Sequence, residues 1–507
     1  MQKMNLILAS CLFIFSLFPL HSVSGQTHTK KPNVVLIYAD DLGFGDLSAY
    51  GATEIQTPYL DKLAQAGTMF TNAHSSSATC TPSRYALMTG IYPWRLQGTG
   101  VLPGDAKLII PTHTTTLPKV FKKAGYHTAV VGKWHLGLGD GDEINWNEEI
   151  KPGPNEVGFD YSYIFPATAD RVPTVFMENH RVVGLDPADP IQVSYIEKVG
   201  NDPTGKENPE LLKMKSSPNH GHDNTIVNGI GRIGYMSGGH KARWVDEEVS
   251  ATFLHVAQNF IEQHQSEPFF LFFSLTEPHV PRMPATYFKG KSKLGYRGDA
   301  ILQIDWTVGQ LMKQLEHLGI DDNTIIVFSS DNGPVLDDGY EDEAVEKNGT
   351  HKAAGPFRGG KYSLFEAGTR VPFIVAGPDI SKNTKSDALY SQIDLIASFA
   401  QMLGQPKPQE AKDSESLFST LQGKEKRGRA YNIHHASSLA IVCGDWKYIE
   451  PNNRPAYSAL TGIELGNSKE PQLYNLKQDP GETKNLAHQQ PDKVKELKAL
   501  LEKEKNR

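Results

Sequence analysis

Short, unbroken runs of apolar residues, many of them β-branched, recur along the chain and predict buried strands. The first run covers residues 33–39 and stops at two aspartates. A strand that is buried on both faces lacks polar alternation, so such runs are typical of parallel sheets. Comparable runs occupy residues 128–131, 268–273, 324–328 and 371–376.

Helical periodicity fills several of the intervals between these runs. Residues 248–264 and 299–317 carry apolar side chains at helical spacing. Strands that alternate with helices predict an α/β fold, in which helices cover both faces of a mostly parallel sheet. Residues 138–247 show little periodicity and many Gly, Pro, Asn and Asp residues, so we predict loops along one rim of that sheet.

The first residues predict an export signal. Residues 5–20 are mostly apolar and small residues follow them, which is typical of a secretory signal peptide over residues 1–25. We therefore expect a secreted or periplasmic protein. The run is short for a spanning helix and no other stretch approaches that length, so we predict no integral membrane domain. Lipid anchoring at Cys11 is the less favoured alternative, because most of the apolar run follows that cysteine.

The Pro-rich segment 404–411 predicts a domain boundary. It divides the rest of the chain into a large domain over residues 26–410 and a smaller C-terminal subdomain over residues 411–507. We predict two strand regions and a charged terminal helix in this subdomain, at residues 438–450, 471–476 and 491–506.

Charge and cysteine content narrow the range of functions. The 507 residues include 51 Lys and Arg against 58 Asp and Glu, and a net charge of −7 argues against a protein that grips the nucleic acid backbone. We therefore predict no nucleic-acid partner. Only three cysteines occur, which excludes a disulfide scaffold and a cysteine-cluster metal site. They are Cys11, Cys80 and Cys443.

Polar residues follow two of the predicted strands. Asp40 and Asp41 follow the first run, and Asp331 and Asn332 come shortly after the fourth. Ligands of open parallel sheets bind beyond the carboxyl ends of the strands. Three carboxylates and an amide there would suit Ca²⁺ or Mg²⁺ better than zinc. The alternative is that each pair only makes a turn.

Other segments add positive charge and a sulfur atom. Pro82 favours the first turn of a helix, so Cys80 is expected at a helix N-terminus, with Arg84 on the same face. If the strand near residue 130 continues far enough, Lys133 and His135 share a face and could clamp an anion. A buried apolar cysteine and an ordinary surface pair are the plain alternatives.

The whole set of candidates favours chemistry on a tetrahedral oxyanion. His279 follows the third apolar run, and Lys361 lies in a segment with two glycines before it. A sulfate or a phosphate group would suit this combination of residues. It comprises a cation held by oxygen atoms, a cysteine at a helix N-terminus, an arginine, lysines and histidines.

The chain resembles the type I sulfatases of the alkaline-phosphatase superfamily. Residues 80–84 with Thr89 and Gly90 match the family signature C-x-P-S-R…T-G, and residues 125–137 match its second signature. Residues 473–486 match a pattern that is typical of the family's C-terminal subdomain. The resemblance covers essentially the whole mature chain. Within the family, the chain is similar to secreted bacterial carbohydrate sulfatases. It implies a large α/β/α sandwich of the alkaline-phosphatase type with a smaller C-terminal antiparallel-sheet subdomain.

The resemblance also implies a site. A maturation enzyme would oxidise Cys80 to formylglycine, and one calcium ion would be bound per chain. The implied calcium ligands are Asp40, Asp41, Asp331, Asn332 and the modified residue 80. The implied catalytic residues are Cys80, Arg84, Lys133, His135, His279 and Lys361.

In the implied reaction, one hydroxyl of the formylglycine hydrate attacks sulfur and displaces the substrate alcohol. Lys133 and Lys361 neutralise the sulfate oxygens, and Arg84 stabilises the hydrate. His279, alone or with Lys361, protonates the leaving group. His135 then removes a proton from the other hydroxyl, which expels sulfate and restores the aldehyde.

The predicted substrate is a sulfated carbohydrate. Thr168 stands where related sulfatases often have a serine, and Asp170 with Arg171 could bind vicinal sugar hydroxyls or form only a surface ion pair. His222 is a further candidate, for substrate contact rather than for zinc. The resemblance favours an exo-acting enzyme, with 6-sulfated galactose or N-acetylgalactosamine as the candidate sugar.

Other functions remain open from the sequence. An arylsulfatase, or a phosphonate or phosphodiester hydrolase of the same superfamily, would use the same metal and nucleophile. An inactive protein that binds sulfated glycans would lack part of the machinery, whereas every implied catalytic residue is present. A cysteine hydrolase would need Cys80 as a thiolate, which the dense set of hard ligands disfavours.

Overall fold

A ten-stranded mixed sheet forms the centre of the computed structural model, which describes residues 31–507. The predicted signal peptide lies outside the described residues. The strands are β1 (Asn33–Ala39), β2 (Gly67–Phe70), β3 (Ala73–His74), β4 (His127–Lys133), β5 (Tyr161–Phe165), β6 (Met177–Glu178), β7 (Arg181–Val182), β8 (Gln192–Ser194), β9 (Ile226–Val227), β10 (Ile230–Gly231), β11 (Tyr235–Ser237), β12 (Phe269–Ser274), β13 (Thr324–Ser330), β14 (Phe373–Ala376), β15 (Thr384–Ser386), β16 (Tyr390–Ser391), β17 (Tyr431–His435), β18 (Leu439–Cys443), β19 (Trp446–Ile449) and β20 (Gln472–Asn475).

Helices lie on both faces of this sheet. The α-helices are α1 (Pro58–Ala66), α2 (Cys80–Thr89), α3 (Leu117–Lys123), α4 (Val249–Gln263), α5 (Gly295–His317), α6 (Glu366–Thr369), α7 (Leu395–Met402), α8 (Phe418–Leu421) and α9 (Pro491–Lys505). Alternate residues of β1 belong to two separate cores, because successive side chains of a strand point to opposite faces. One core contains α3 and α7, and the other contains α1, α4 and α5. The predicted α/β/α sandwich is therefore confirmed.

The centre of the sheet is parallel, and antiparallel pairs lie on either side of it. Strands β13, β1, β12, β4 and β5 lie side by side in parallel, and all five predicted apolar runs are strands of this sheet. Strand β14 runs antiparallel to β13, so it begins at the end of the sheet where β13 finishes. The expectation of a mostly parallel sheet thus holds for its central five strands and for the outer pair β2–β15.

The predicted helices are present, with small shifts at their ends. Helix α4 lies within the predicted residues 248–264, and α5 begins at Gly295, four residues before its predicted start. The prediction that residues 138–247 form only loops is wrong in part, since β5 pairs with β4 and continues through β6 and β7 at the sheet edge. These strands are too short to show a periodic pattern.

A second, smaller sheet lies near the C-terminus. Strands β17, β18, β19 and β20 form four antiparallel neighbours, and α9 packs its Leu497 and Leu501 against them. The predicted strand over residues 438–450 is a hairpin of β18 and β19. The predicted antiparallel subdomain with a terminal helix is therefore present.

A group of five buried charged and polar side chains lies where the two sheets meet. We call it the interior cluster, and its members are His74, Glu366, His434, Lys447 and Glu482. They come from β3, α6, β17, β19 and the loop after β20. The Lys447 ammonium lies 3.1 Å from a Glu366 carboxylate oxygen and 3.0 Å from one of Glu482. This lysine therefore joins the small sheet to α6 and to the loop after β20.

The histidines of the interior cluster are neutral. Burial lowers the pKa of His74 to about 3 and holds the pKa of His434 well below its usual range. The two rings lie 4.7 Å apart, and neither ring nitrogen of His434 has a hydrogen-bond partner. Charge balance in the cluster thus depends on Lys447 and the two glutamates.

Within residues 31–507, the model contains no helix with the length and apolar character needed to span a membrane.

Candidate active site

Parallel pairing brings the two polar strand ends together. Ala39 of β1 lies opposite Ser330 of β13, so the residues that follow them become neighbours. The Asn332 side-chain amide donates to Asp41 over 2.7 Å, and the Asp41 backbone N–H donates to Asp331 over 3.2 Å. The predicted convergence of Asp40, Asp41, Asp331 and Asn332 is present in the structure, and all four are fully buried.

Three cations surround these carboxylates, and together the seven residues form what we call the strand-end cluster. Lys133 lies 2.5 Å from an Asp40 oxygen and 4.0 Å from one of Asp331. Arg84 donates from Nε and Nη2 to a single Asp331 oxygen, over 3.0 and 2.8 Å. Lys361 donates to Asp41 over 2.9 Å.

The electrostatics differ between the two innermost carboxylates. Burial alone would raise the pKa of Asp331, but Arg84 and Lys133 outweigh it and hold that pKa at about 2. Burial and the negative charge of Asp331 instead raise the pKa of Asp40 well above its usual range. One of the two carboxylates therefore lacks enough positive charge around it.

The strand-end cluster fits a hard divalent cation. Asp40, Asp41 and Asp331 each place one carboxylate oxygen within 4.8 Å of the others. In addition, Oδ1 of Asp40 and Oδ1 of Asn332 are buried and have no hydrogen-bond partner. Because buried acceptors rarely stay unpaired, two such oxygen atoms beside a carboxylate with a raised pKa match the ligands that Ca²⁺ or Mg²⁺ prefers.

Cys80 lies at the N-terminus of a helix, as predicted. Helix α2 begins at Cys80 itself, so Pro82 occupies the third position of the first turn. Burial raises the pKa of the Cys80 thiol although Lys133 and Lys361 act in the opposite direction. The thiolate form is therefore disfavoured, which weighs against a cysteine hydrolase.

The strand that carries Lys133 does not continue to His135. Strand β4 ends at Lys133, and His135 has a φ of 56°, so the shared-face argument for these two residues does not apply. The two side chains reach the same site through the turn instead. His135 Nε2 lies 2.9 Å from the Leu102 carbonyl oxygen and must carry the hydrogen, because a carbonyl only accepts.

This geometry leaves His135 Nδ1 as the proton-accepting atom. Nδ1 is buried and has no hydrogen-bond partner. Burial, with the charges of Lys133 and Arg171, holds the pKa of His135 well below its usual range. The imidazole is therefore neutral at neutral pH and able to accept a proton.

His279 lies beside Asp41. Its Nδ1 donates to the Val280 carbonyl oxygen over 2.7 Å, and its Nε2 lies 3.8 Å from an Asp41 oxygen. Burial and the charge of Lys361 lower its pKa well below the usual range. Nε2 is thus the ring atom that remains for proton exchange.

A cavity of about 420 Å³ lies above these groups. Cys80, His135, His279 and Lys361 line its floor, and the loop residues Asp170, Arg171 and His222 line its wall. The structure thus brings four of the six predicted catalytic residues and three of the four predicted substrate residues to one cavity. Arg84 and Lys133 belong to the strand-end cluster and do not line it. Thr168 is not among the lining residues; its hydroxyl hydrogen-bonds Asp170 and accepts from Arg171.

The loop residues form a connected polar group. Arg171 Nη1 lies 3.0 Å from an Asp170 oxygen, and His222 Nε2 lies 3.0 Å from the other. Burial opposes ionisation of Asp170, but Arg171 and His222 hold its pKa well below the usual range. Gly339 has a φ of 117°, and a Cβ there would lie 2.2 Å from the His222 ring. The glycine therefore makes room for this histidine.

Several residues that line the cavity carry no signal in the sequence. Asp338 accepts from Lys361 over 2.7 Å and from the Tyr362 hydroxyl over 3.1 Å, so the Lys361 ammonium is bound by Asp338 as well as by Asp41. The only sequence feature of Asp338 is its place seven residues after Asp331. Leu460 and Thr461 reach the cavity from the connection between β19 and β20, which no motif marks.

Several known proteins that resemble this chain are sulfatases. The family model described as Sulfatase matches residues 32–405. An N-acetylgalactosamine-6-O-sulfatase of Bacteroides thetaiotaomicron is 53% identical over 487 residues, which cover 96% of this chain and 95% of that protein. Human arylsulfatase A is 29% identical over 498 residues, which cover 94% of this chain and 88% of that protein.

The fold of this chain also agrees with a solved structure. That structure, described under the metabolism of glycosaminoglycans by Bacteroides thetaiotaomicron, has a TM-score of 0.93 and 53% identity. The match covers 94% of this chain and all of that one. These findings confirm the resemblance that the two signatures predicted. The chain belongs to the sulfatase family and is an enzyme that hydrolyses sulfate esters.

Proposed function

We propose that this enzyme removes the 6-O-sulfate of N-acetylgalactosamine at the ends of sulfated glycans. The observation that carries the proposal is that Cys80, His135, His279 and Lys361 line the same cavity of about 420 Å³ as the Asp170–Arg171–His222 group. A relative that is 53% identical and carries this activity supports the choice of sugar. A cavity of this size also suits one terminal sugar better than a chain passing through.

Two sides of the cavity have different tasks in this proposal. Lys133 and Lys361 neutralise the sulfate oxygens, because diffuse negative charge is stabilised by fixed cations in a site that excludes water. Arg171 donates to the sugar hydroxyls, and Asp170 accepts from them. The ion pair between these two side chains keeps both in place before the sugar arrives.

Protons move through the two histidines. His279 delivers a proton from Nε2 to the leaving oxygen, once the negative charge of the bound ester has raised the pKa of its imidazole. Lys361, which lies beside Asp338 and Asp41, supplies positive charge to the same oxygen. His135 accepts a proton at Nδ1 in the second half of the reaction.

Two groups that the family implies complete the proposal. Asp40, Asp41, Asp331 and Asn332 would hold a calcium ion, with residue 80 as a further ligand. Formylglycine at position 80 would supply the hydroxyl nucleophile, and calcium would withdraw charge from the sulfate group. Arg84, which lies one turn after residue 80 in α2, would stabilise the formylglycine hydrate. We further propose that a maturation enzyme modifies Cys80 and that residues 1–25 direct export.

Peptide mass spectrometry of residue 80 is the first test. Protein from a host with a maturation enzyme is expected to show a Cys80 peptide about 18 Da lighter than the cysteine form, which a hydrazide traps. The peptide that contains Cys443 serves as the control and keeps its mass. An unmodified thiol at residue 80 in fully active protein would contradict the proposal.

A substrate panel tests the sugar. We expect matured enzyme to hydrolyse 6-O-sulfated N-acetylgalactosamine faster than its 4-O-sulfated isomer, an aryl sulfate or a phosphodiester. Comparable rates on all sulfate esters would instead favour an arylsulfatase. Phosphodiester hydrolysis that exceeds sulfate hydrolysis would favour the phosphodiesterase alternative.

A further inference from the structure

A second cavity lies beside the active-site cavity. Its volume is about 700 Å³, within the roughly 300–1,000 Å³ that is usual for sites of small-molecule ligands. Leu460 and Thr461 line both cavities, and Asp337 lines the second one while its neighbour Asp338 lines the first. The two cavities therefore share a rim.

The wall between the cavities is a short hairpin over residues 457–464. Tyr457 and Glu464 pair as an antiparallel bridge, and Ser458 N–H donates to the Ile463 carbonyl over 2.8 Å. The Leu460 carbonyl oxygen, near the tip, lies 3.1 Å from His220 Nε2. The hairpin thus reaches across to the loop that carries His222 and closes one side of the active site.

Contacts with the large domain fix this hairpin. Arg358 forms an ion pair with Glu464, and its Nη1 donates to the Glu482 carbonyl over 2.7 Å. The Ser363 hydroxyl donates to the Glu464 carbonyl over 2.6 Å. Because both walls of the second cavity are joined in this way, it exists before any ligand binds.

Large apolar side chains are exposed around the second cavity. Val345 and Tyr457 are each 54% exposed, and Leu460 is 47% exposed. Polar groups lie between them, among them Asn348 and Lys352. Exposed apolar residues that gather at one cavity with a few polar groups are typical of ligand sites. A sugar ring has this same mixed surface, with C–H groups on its faces and hydroxyls around its edge.

We propose that the second cavity binds the next sugars of the glycan whose terminal sulfated residue occupies the active site. The inference rests on the proposed function. The shared rim gives a chain that leaves the active site a direct path over Leu460, and Tyr457 offers an aromatic face on which a pyranose ring can stack. Lys352 adds a positive charge for an anionic sugar in the chain.

The test compares substrates of different length. It uses 6-O-sulfated N-acetylgalactosamine and a tetrasaccharide with the same sulfated sugar at its non-reducing end. We expect the wild-type enzyme to have a lower KM for the tetrasaccharide at a similar kcat. Tyr457→Ala should raise the tetrasaccharide KM by about fivefold to tenfold, the size usual for an interface tyrosine, and leave monosaccharide kinetics within about twofold.

Two variants control for other effects. Tyr457→Phe keeps the ring and should keep the low tetrasaccharide KM. Tyr287→Ala removes another exposed tyrosine, one that lines neither cavity, and should change nothing. An equal KM for both wild-type substrates, or an equal loss on both in Tyr457→Ala, overturns the inference and leaves the proposed function standing. Failure of matured enzyme to hydrolyse the monosaccharide while it desulfates another sugar overturns the proposed function instead.

Discussion

Two clusters of buried charge in this molecule each contain a lysine between two carboxylates. They differ in whether a ligand in the active-site cavity can reach them. In the strand-end cluster, Lys133 lies among carboxylates and leaves buried oxygen atoms without donors, next to an open cavity. In the interior cluster, Lys447 lies between Glu366 and Glu482. Among the described residues, none of the interior cluster lines the active-site cavity.

The comparison shows that two similar clusters of buried charge can serve different purposes, one of them ligand binding and the other folding. Buried acceptors beside a cavity can bind a cation that enters from solvent, whereas the interior cluster, which lines no part of that cavity, joins two parts of the fold. Matched lysine variants can separate the two roles, because each lysine is fully buried and each contacts two carboxylates.

Loss of the strand-end lysine should have the largest effect. Lys133→Met is expected to lower kcat by about 10²–10³-fold, because a fixed cation beside the sulfate oxygens is removed. In saturating calcium the free energy of unfolding should change by less than about 1 kcal/mol, since the ion replaces the lost positive charge. Steady-state kinetics and urea unfolding measure the two quantities. Full activity of the variant would show that Lys133 only holds the fold.

Loss of the interior lysine should act on stability instead. Lys447→Met leaves two carboxylates buried without their cation, so we expect the free energy of unfolding to fall by about 3 kcal/mol. The kcat of the folded fraction should stay within about threefold of wild type. Lys385→Met, at an exposed lysine, is the matched control and should change stability by less than about 0.5 kcal/mol. A large fall in kcat at unchanged stability would contradict this division of roles.

Calcium should stabilise the protein through the strand-end cluster alone. Ion binding to the folded state at a hundredfold excess over Kd adds about 2.7 kcal/mol to the free energy of unfolding. We expect this increment in the wild type and in Lys447→Met, and its loss in Asp331→Asn. Thermal unfolding with calcium or with a chelator measures it. An equal increment in Asp331→Asn would place the ion elsewhere.

The interior cluster should also make stability depend on pH. Burial, with the charge of Glu366, raises the pKa of Glu482 from 4.5 to about 7. The folded protein then binds a proton more tightly than the unfolded chain, so the free energy of unfolding falls as pH rises from about 4.5 to 7. Glu482→Gln carries no titrating group there and should reduce this fall by about 1–2 kcal/mol.

Urea unfolding at pH 5 and pH 8 measures the slope. Glu262→Gln, at an exposed glutamate of α4, controls for a general loss of negative charge and should leave the slope unchanged. An identical slope in wild type and Glu482→Gln would show that Glu482 is ionised in both states.

The strand-end cluster could be predicted from the sequence, because its signals are local. Apolar runs mark the central strands, and parallel pairing then brings their ends to one edge, so Asp40 and Asp331 had to become neighbours. Cys80, Lys133 and the residues around them lie in two contiguous signatures. Strands β2, β6, β7 and β15 were not predictable, since strands of two to four residues carry no clear period.

The interior cluster and the hairpin over residues 457–464 could not be predicted. His74, Glu366 and Lys447 are separated by up to several hundred residues, and only the docking of the small sheet makes them neighbours. The turn at His135 was missed because its positive φ breaks the strand that the apolar pattern favours. In each case a tertiary contact, rather than local pattern, decides where the side chain lies.

The position of the hairpin has a consequence for how such enzymes diversify. It lies in the connection between β19 and β20, which stay paired as neighbours in the small sheet whatever joins them. Lengthening a surface connection costs little, about 0.6 kcal/mol for each doubling. Insertions and deletions in this connection can therefore change the shape of the active-site entrance in related enzymes. They need not alter the strand-end cluster, which lies on other segments of the chain.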